Sequence, residues 1–209
     1  MSKKEKQEVI LLKLIERVQQ QDPGTLKIAV PGFLAKKSVS YMLIREDLLF
    51  IKESCIRLIA CKKAEQQDRL LITALWQSII VTYGKCFTEN EGGFSKLTKD
   101  IINSDEFNNT HERLMDLRHS FIAHRDDSEK EMGFIYMRLP ATGELTNQTE
   151  FRIQSSKQWA PSIEEAKQYL ILFDHLIEAT MEKINKQTQK AHDALLSLFT
   201  PEQLALMRF

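Results

Sequence analysis

The chain has 209 residues, of which 43% are apolar and 28% charged, enough to bury a core and too apolar for an intrinsically disordered protein. Lysine plus arginine and aspartate plus glutamate both total 29, so no global positive field drives unspecific nucleic-acid binding, and any RNA contact has to come from a local patch. Charge interrupts the longest apolar runs within a few residues, so no membrane span is expected. Cys55, Cys61 and Cys86 have no metal-type spacing, and their odd number without a signal peptide implies reduced thiols and a cytoplasmic protein.

Residues 3 to 21 begin basic and become an amphipathic helix, with Val9, Ile10, Leu14 and Val18 near a 3.6-residue period, stopping at Asp22-Pro23-Gly24. The lysines read as a solvated face, with a basic arm that guides RNA as the alternative. Residues 25 to 33 form a connector punctuated by Pro31-Gly32. A long helix is expected from residue 38 to about 62, carrying Leu43, Phe50, Ile51, Leu58 and Ile59 inward, with Cys55 and Cys61 as small buried hydrophobes. Residues 68 to 87 form the most apolar helix, through Leu71, Leu75, Trp76, Ile79, Ile80 and Tyr83, and it belongs at the centre of the fold. Trp76 and Tyr83 could serve as stacking platforms for RNA bases, but core packing is the reading preferred. Residues 88 to 95, with Gly92-Gly93, form a loop, and residues 95 to 103 a short helix.

The stretch THERLMDLRHSFIAHRDD, residues 110 to 127, concentrates the chemistry. It holds His111, His119 and His124 beside Arg118. At about 100° per residue, Leu114, Leu117, Phe121 and Ile122 make an apolar stripe, with Arg118 and His124 on its flanks roughly 120° apart. A guanidinium beside a core-facing stripe is costly unless it is paired or lines a wet surface. After His124, the run Arg125 to Ser128 favours leaving the helix.

Residues 133 to 139 and 149 to 155 are rich in β-branched and aromatic residues and flank a Pro140 to Gly143 turn, which predicts a β-hairpin over about 133–155. Two strands alone are marginal, so the hairpin is expected to pack on a helix. Ser162 and Glu165 form a capping box that opens a long helix through Leu170, Phe173, Ile177 and Ile184. Thr200-Pro201 caps a last short helix with Leu204 and Met207. The expectation is a mainly α chain forming one domain over residues 1–209, with an inserted hairpin and with helices 3–21 and 201–208 as peripheral elements.

The segment LRHSFIAHRD, Leu117 to Asp126, resembles the Arg, polar residue, several residues, His signature of the HEPN superfamily, especially its abortive-infection and toxin-type proteins. The aromatic helix LWQSIIVTYGKCF, residues 75 to 87, adds looser support. The resemblance implies a HEPN-like antiparallel helical bundle and a homodimeric, metal-independent endoribonuclease in bacterial phage defence or a toxin system. Attack by the RNA 2′-OH would then leave 2′,3′-cyclic phosphate ends. Arg118, His119 and His124 are the implied catalytic residues. His124 is the proton carrier, Arg118 the phosphate-binding cation, and His119 holds the polar position after the arginine. RNA is the implied partner, with an antitoxin or defence-system protein beside it, and no cofactor or metal is called for. Some HEPN toxins carry a modifiable tyrosine two residues after the histidine, where this chain has Asp126. The alternative is a non-catalytic HEPN-like bundle that binds RNA, nucleotide or a protein.

Other chemistries find less. There is no Gly-rich phosphate loop, no Gly-x-Ser-x-Gly and no His-Glu-x-x-His. The three histidines cannot share one helix face as metal ligands, Asp126 and Asp127 read as capping or solvated, and His175 and His192 as structural or exposed.

Overall fold

A computed structural model describes residues 3–21, 23, 25, 27–89, 93–102, 104–122, 131–139, 150–157 and 160–207. The elements are α1 (Lys3–Gln21), α2 (Gly32–Lys63), α3 (Arg69–Phe87), α4 (Asp105–Asp116), β1 (Glu131–Arg138), β2 (Glu150–Lys157), α5 (Ile163–Leu198) and α6 (Pro201–Leu206). A 3₁₀ turn spans Lys99–Ile101, and a π-helical turn, Leu117–Ile122, continues α4. The protein is therefore mainly α with a small antiparallel sheet, and it divides into two compact units, residues 1–39 with 184–209 and residues 40–183.

The larger unit holds the core. Along α2, Ile44, Leu48, Ile51, Cys55 and Leu58 are buried at alternating steps of four and three, the stripe that a helix presents to one neighbouring layer. Leu43 and Phe50, expected inside, sit one position off that stripe and are 54% and 51% exposed. The pairing of the helices can be read from their contacts. Lys52 bonds Asp174 at 2.6 Å, the Cys55 thiol donates to Ala166 O at 3.3 Å, and Lys62 Nζ reaches Pro161 O, so α2 and α5 run antiparallel. Trp76 stacks on Tyr169 at 5.4 Å and Tyr83 meets Phe173 at 5.8 Å, so α3 runs parallel to α5. Trp76 and Tyr83 are both buried in this core, where no base could stack on them. Burial also pushes the thiols of Cys55 and Cys86 up to about 12, which leaves them inert at neutral pH.

By length and composition α3 could cross a membrane, although charge was expected to break every such run. One face of it is packed in protein, with Ile72, Trp76, Ile79, Ile80 and Tyr83 buried, while Leu70, Leu71 and Val81 are exposed.

Local signals set several helix ends. The Pro31 carbonyl accepts the N–H groups of Leu34 and Ala35, so α2 starts at Gly32, six residues before the expected position. Among the described residues from 95 to 102, a 3₁₀ turn forms in place of the expected helix, and Leu97 N–H donates to Cys86 O at 2.8 Å, tying the segment to α3. Ser162 and Glu165 close the expected capping box, at 3.1 Å from Glu165 N to Ser162 Oγ and 2.7 Å from Ser162 N to Glu165 Oε2. Thr200 caps α6 in the same way through Gln203, with Pro201 inside the first turn.

The smaller unit contains α1, the connector, the first turns of α2, the end of α5 and α6. Ala29 N–H donates to Met207 O at 2.9 Å, which anchors the connector to the end of α6. The apolar residues Val9, Ile10, Leu14 and Val18 of α1 are exposed.

The strands of the hairpin pair antiparallel from Glu131↔Lys157 to Arg138↔Glu150. The hairpin was expected to rest on a helix. Instead Phe134 to Leu139 and Glu150 to Gln154 are all exposed.

Ser162→Ala removes the side chain that caps α5. It is expected to lower stability by about 1 kcal/mol in urea unfolding, with the helical far-UV signal of the folded state retained.

Candidate functional site

Among the described residues, Arg118 is the expected catalytic residue whose side chain lines a groove. It lies on the π-helical turn, where hydrogen bonds close five residues apart and the turn is wider than in an α-helix. The transition begins at Leu117, whose N–H is shared between the carbonyls of Arg113 and Leu114 while Leu114 and Leu117 are both buried. The straight-helix spacing of 100° per residue therefore does not hold between Leu117 and Ile122. Such single π turns occur frequently at functional sites.

From this turn the methylenes of Arg118 lie across the backbone of Gly84 on α3. A Cβ at Gly84 would collide with Arg118 Cδ and Nε and sit 3.0 Å from Cγ. Glycine inside a helix costs roughly 1 kcal/mol relative to alanine, and here the missing side chain is what lets the arginine pass. No other residue fits without moving Arg118.

The groove has a volume of about 730 Å³, within the usual range for small-ligand sites. Its walls are Ser40, Leu43, Ile44, Glu46 and Asp47 of α2, Val81 and Lys85 of α3, Thr88, Glu89, Phe94 and Ser95 of the following segment, and Arg118. Thr88, Glu89, Phe94 and Ser95, from the segment after α3, thus share the groove with the arginine. Ser95 N–H donates to Ser40 Oγ at 3.2 Å and helps to seat that segment.

The charges of the groove are largely spoken for. Asp47 takes Lys85 at 2.8 Å, Glu89 takes Lys96 at 2.9 Å, and Glu46 lies 3.6 Å from Arg45. The hydrogen bond from Lys96 also holds the Glu89 carboxyl below its ordinary value. Arg118, half-buried, forms no salt bridge among the described residues. Glu112, a carboxylate that could have neutralised it, is held by Lys99 at 2.6 Å. A guanidinium in a concave, partly apolar wall has the donors and charge to hold a phosphate or carboxylate.

The other two expected residues differ. His119 is exposed beside Arg118. His124 lies outside the described residues, as do Ala123, Asp126 and Asp127, and the side chains of Phe121 and Ile122 are likewise outside the description.

His111, the third histidine of the stretch, is buried and structural. Its Nδ1 is 2.7 Å from Tyr83 Oη, and its ring packs 4.6 Å from Phe87. Burial, with Lys99 adding to it and Glu112 opposing, lowers its pKa below the ordinary value of 6.5, so it is neutral at pH 7. His175 bonds Ile101 O at 2.8 Å and stacks on Phe107. Among the described residues no group of three or more His, Cys, Asp or Glu could hold a metal ion.

Sequence reasoning overlooked Gly84, Lys85 and Asp47. The signal for Gly84 was present, as an isolated glycine within the most apolar helical pattern commonly marks close packing. Comparison of the chain with protein-family models, curated proteins and solved structures finds no match.

Two outcomes are expected. Gly84→Ala should lower the melting temperature of the wild-type chain yet raise it in an Arg118→Ala background, since removing the arginine leaves only the helix-forming gain of alanine. Equal effects in both backgrounds would remove the steric argument. For His111, the unfolded chain takes up a proton before the folded one does. Stability should therefore fall as pH drops below about 6.5, and His111→Gln should flatten the difference between urea midpoints at about pH 7.5 and 5.5. The depressed carboxylates, among them Glu89 and Glu165, act only below their ordinary value of 4.5 and leave this window clear.

Proposed function

We propose that the chain is a metal-independent endoribonuclease of the HEPN type, built on a HEPN-like bundle and acting as a homodimer in the cytoplasm, in bacterial phage defence or a toxin system. The observation that carries this reading is Arg118, unpaired among the described residues, laid over Gly84 and lining a groove. It adds to the resemblance of Leu117 to Asp126 to the family signature.

RNA brings its own nucleophile. In this reaction the 2′-oxygen attacks the adjacent phosphorus, the bond from phosphorus to the 5′-oxygen breaks, and the products carry a 2′,3′-cyclic phosphate and a 5′-hydroxyl. His124 takes the 2′-hydroxyl proton or returns one to the leaving oxygen, because its ordinary pKa is near neutrality. Arg118 stays charged and offers donors to the phosphorane oxygens as their charge grows. His119, exposed at the position after the arginine, orients His124 or contacts the phosphate. Since two motif histidines and two arginines serve a composite site better than one set, the partner copy completes it. An antitoxin or a defence-system protein would control such an activity.

A second reading has its own support. Leu43, Val81 and Phe94 share the groove with Arg118, a mixture that suits retention of a nucleotide or an RNA end without cleavage.

The deciding experiment incubates wild type, Arg118→Ala and His124→Ala with mixed cellular RNA in EDTA and maps the chemistry of the new ends. Wild type is expected to give cyclic-phosphate ends, with the rate reduced about 10²-fold or more in each variant. Binding without turnover, weakened in Arg118→Ala, would favour the second reading. Cleavage undiminished in folded His124→Ala would end the first.

A further inference from the structure

Trp76 and Tyr83 are closed off in the core, but the hairpin presents two other rings to solvent. Residues directly opposite each other share a face, as do residues two apart on one strand. One face therefore carries Phe134, Tyr136 and Arg138 of β1 opposite Gln154, Arg152 and Glu150 of β2. Phe134 is 57% and Tyr136 43% exposed, with ring centroids 5.8 Å apart. Arg138, Arg152 and Gln154 are exposed beside them. The Glu150 carboxylate is taken by Arg152, 3.0 Å from its Nε, while Arg138 forms no salt bridge among the described residues. Two arginines against one glutamate leave positive charge beside the rings. The opposite face takes Ile135, Met137, Phe151 and Ile153 with the Glu131–Lys157 pair, and it has neither neighbouring rings nor an arginine.

We propose that the face of Phe134 and Tyr136 is a binding surface for single-stranded RNA, built from residues other than those of the Arg118 groove. Side chains on one face of a strand recur about every 6.8 Å, twice the rise per residue, so two rings and then a cation follow at equal steps along β1. A single strand of RNA offers the complement, unstacked bases with flat apolar faces on a regularly charged backbone. Successive bases lie on Phe134 and Tyr136, Arg138 and Arg152 face phosphates, and the Gln154 amide is placed to bond a base edge. A duplex keeps its base faces stacked on one another and cannot use the rings. A protein covering this face would have to bring a carboxylate to Arg138 and strip water from the Arg152–Glu150 pair, whereas a single strand leaves that pair wet at its edge. In a chain with no net charge, this is the kind of local patch that RNA contact requires. The surface stands whether or not the protein cleaves RNA, and in a ribonuclease it holds the substrate strand.

The test is fluorescence anisotropy of the full chain with a short labelled 2′-O-methyl RNA at low salt, with far-UV circular dichroism as the check on folding. The blocked 2′-oxygens cannot attack phosphorus, so binding is read apart from cleavage. Wild type is expected to bind the single strand and to ignore the corresponding duplex. Phe134→Leu and Tyr136→Leu keep apolar bulk and lose the ring, and each is expected to weaken binding about 10-fold, whereas Phe134→Trp should bind at least as well as wild type. Arg138→Gln should weaken binding and flatten the slope of log affinity against log salt by about 0.7. Ile153→Ser, on the opposite face, should bind as wild type does. A wild type that binds no single strand, or binds the duplex equally well, would overturn the proposal. So would affinity unchanged in both leucine variants and lost only in Arg118→Ala, which would assign the strand to the groove. Binding without cleavage of unmodified RNA would remove the ribonuclease reading and leave this surface in place.

Discussion

The passage of Arg118 across the bare backbone of Gly84 is the constraint on which the site depends. α3 is the most apolar helix and packs Trp76, Ile79, Ile80 and Tyr83 into the core, so any side chain at position 84 would close the route by which a cation from the next element reaches the groove. The π turn supplies the other half, because its wider winding sets Arg118 differently from a straight continuation of α4, while Leu114 and Leu117 stay buried. Neither feature is favourable by itself. A mid-helix glycine weakens α3 and a π turn has poorer backbone geometry, and the two are retained together where a guanidinium has to be held half-buried. Pairing of Asp47 with Lys85, Glu89 with Lys96 and Glu112 with Lys99 keeps nearby carboxylates engaged elsewhere.

What was legible in the sequence is what is local. The caps at Ser162 and Thr200 need only residues three apart, and the strands of the hairpin need only alternation on either side of a turn. What was not legible depends on distant residues. The buried stripe of α2 runs through Ile44, Leu48, Ile51, Cys55 and Leu58, and a choice of inward residues offset by one position wrongly included Leu43 and Phe50. Both stripes are apolar, and only the placement of α3 and α5 decides between them. The π turn escaped for the same reason, since no propensity marks it and the packing of Leu117 imposes it. Among the three histidines of the motif stretch, burial against Phe87 and the bond to Tyr83 make His111 a structural residue, a distinction that spacing along the chain could not make. Of the expected catalytic set, Arg118 lines the groove and His119 is its exposed neighbour, while His124 falls outside the described residues.

α3 shows how one composition serves two solvents. Its length and apolarity pass the test for a membrane span, and one face, with Trp76 against Tyr169 and Tyr83 against Phe173, is buried within protein, while Leu70 and Val81 stay exposed. The buried Tyr83 hydroxyl finds His111, so even the polar atom of this helix is matched inside the fold. At its C-terminal end Lys85 and the segment after Phe87 turn the helix toward the groove, so the element that builds the core also shapes the site.

The hairpin is the opposite case, a local pattern satisfied in pairing and unsatisfied in packing. Its register places Ile135, Met137, Phe151 and Ile153 on the face that also takes the Glu131–Lys157 pair and sets Phe134 and Tyr136 on the other, so large apolar side chains are exposed on both sides. Position along the chain connects the hairpin to the motif. Eight residues separate Ile122 from Glu131, so β1 begins within about 30 Å of the π turn whatever path those residues take.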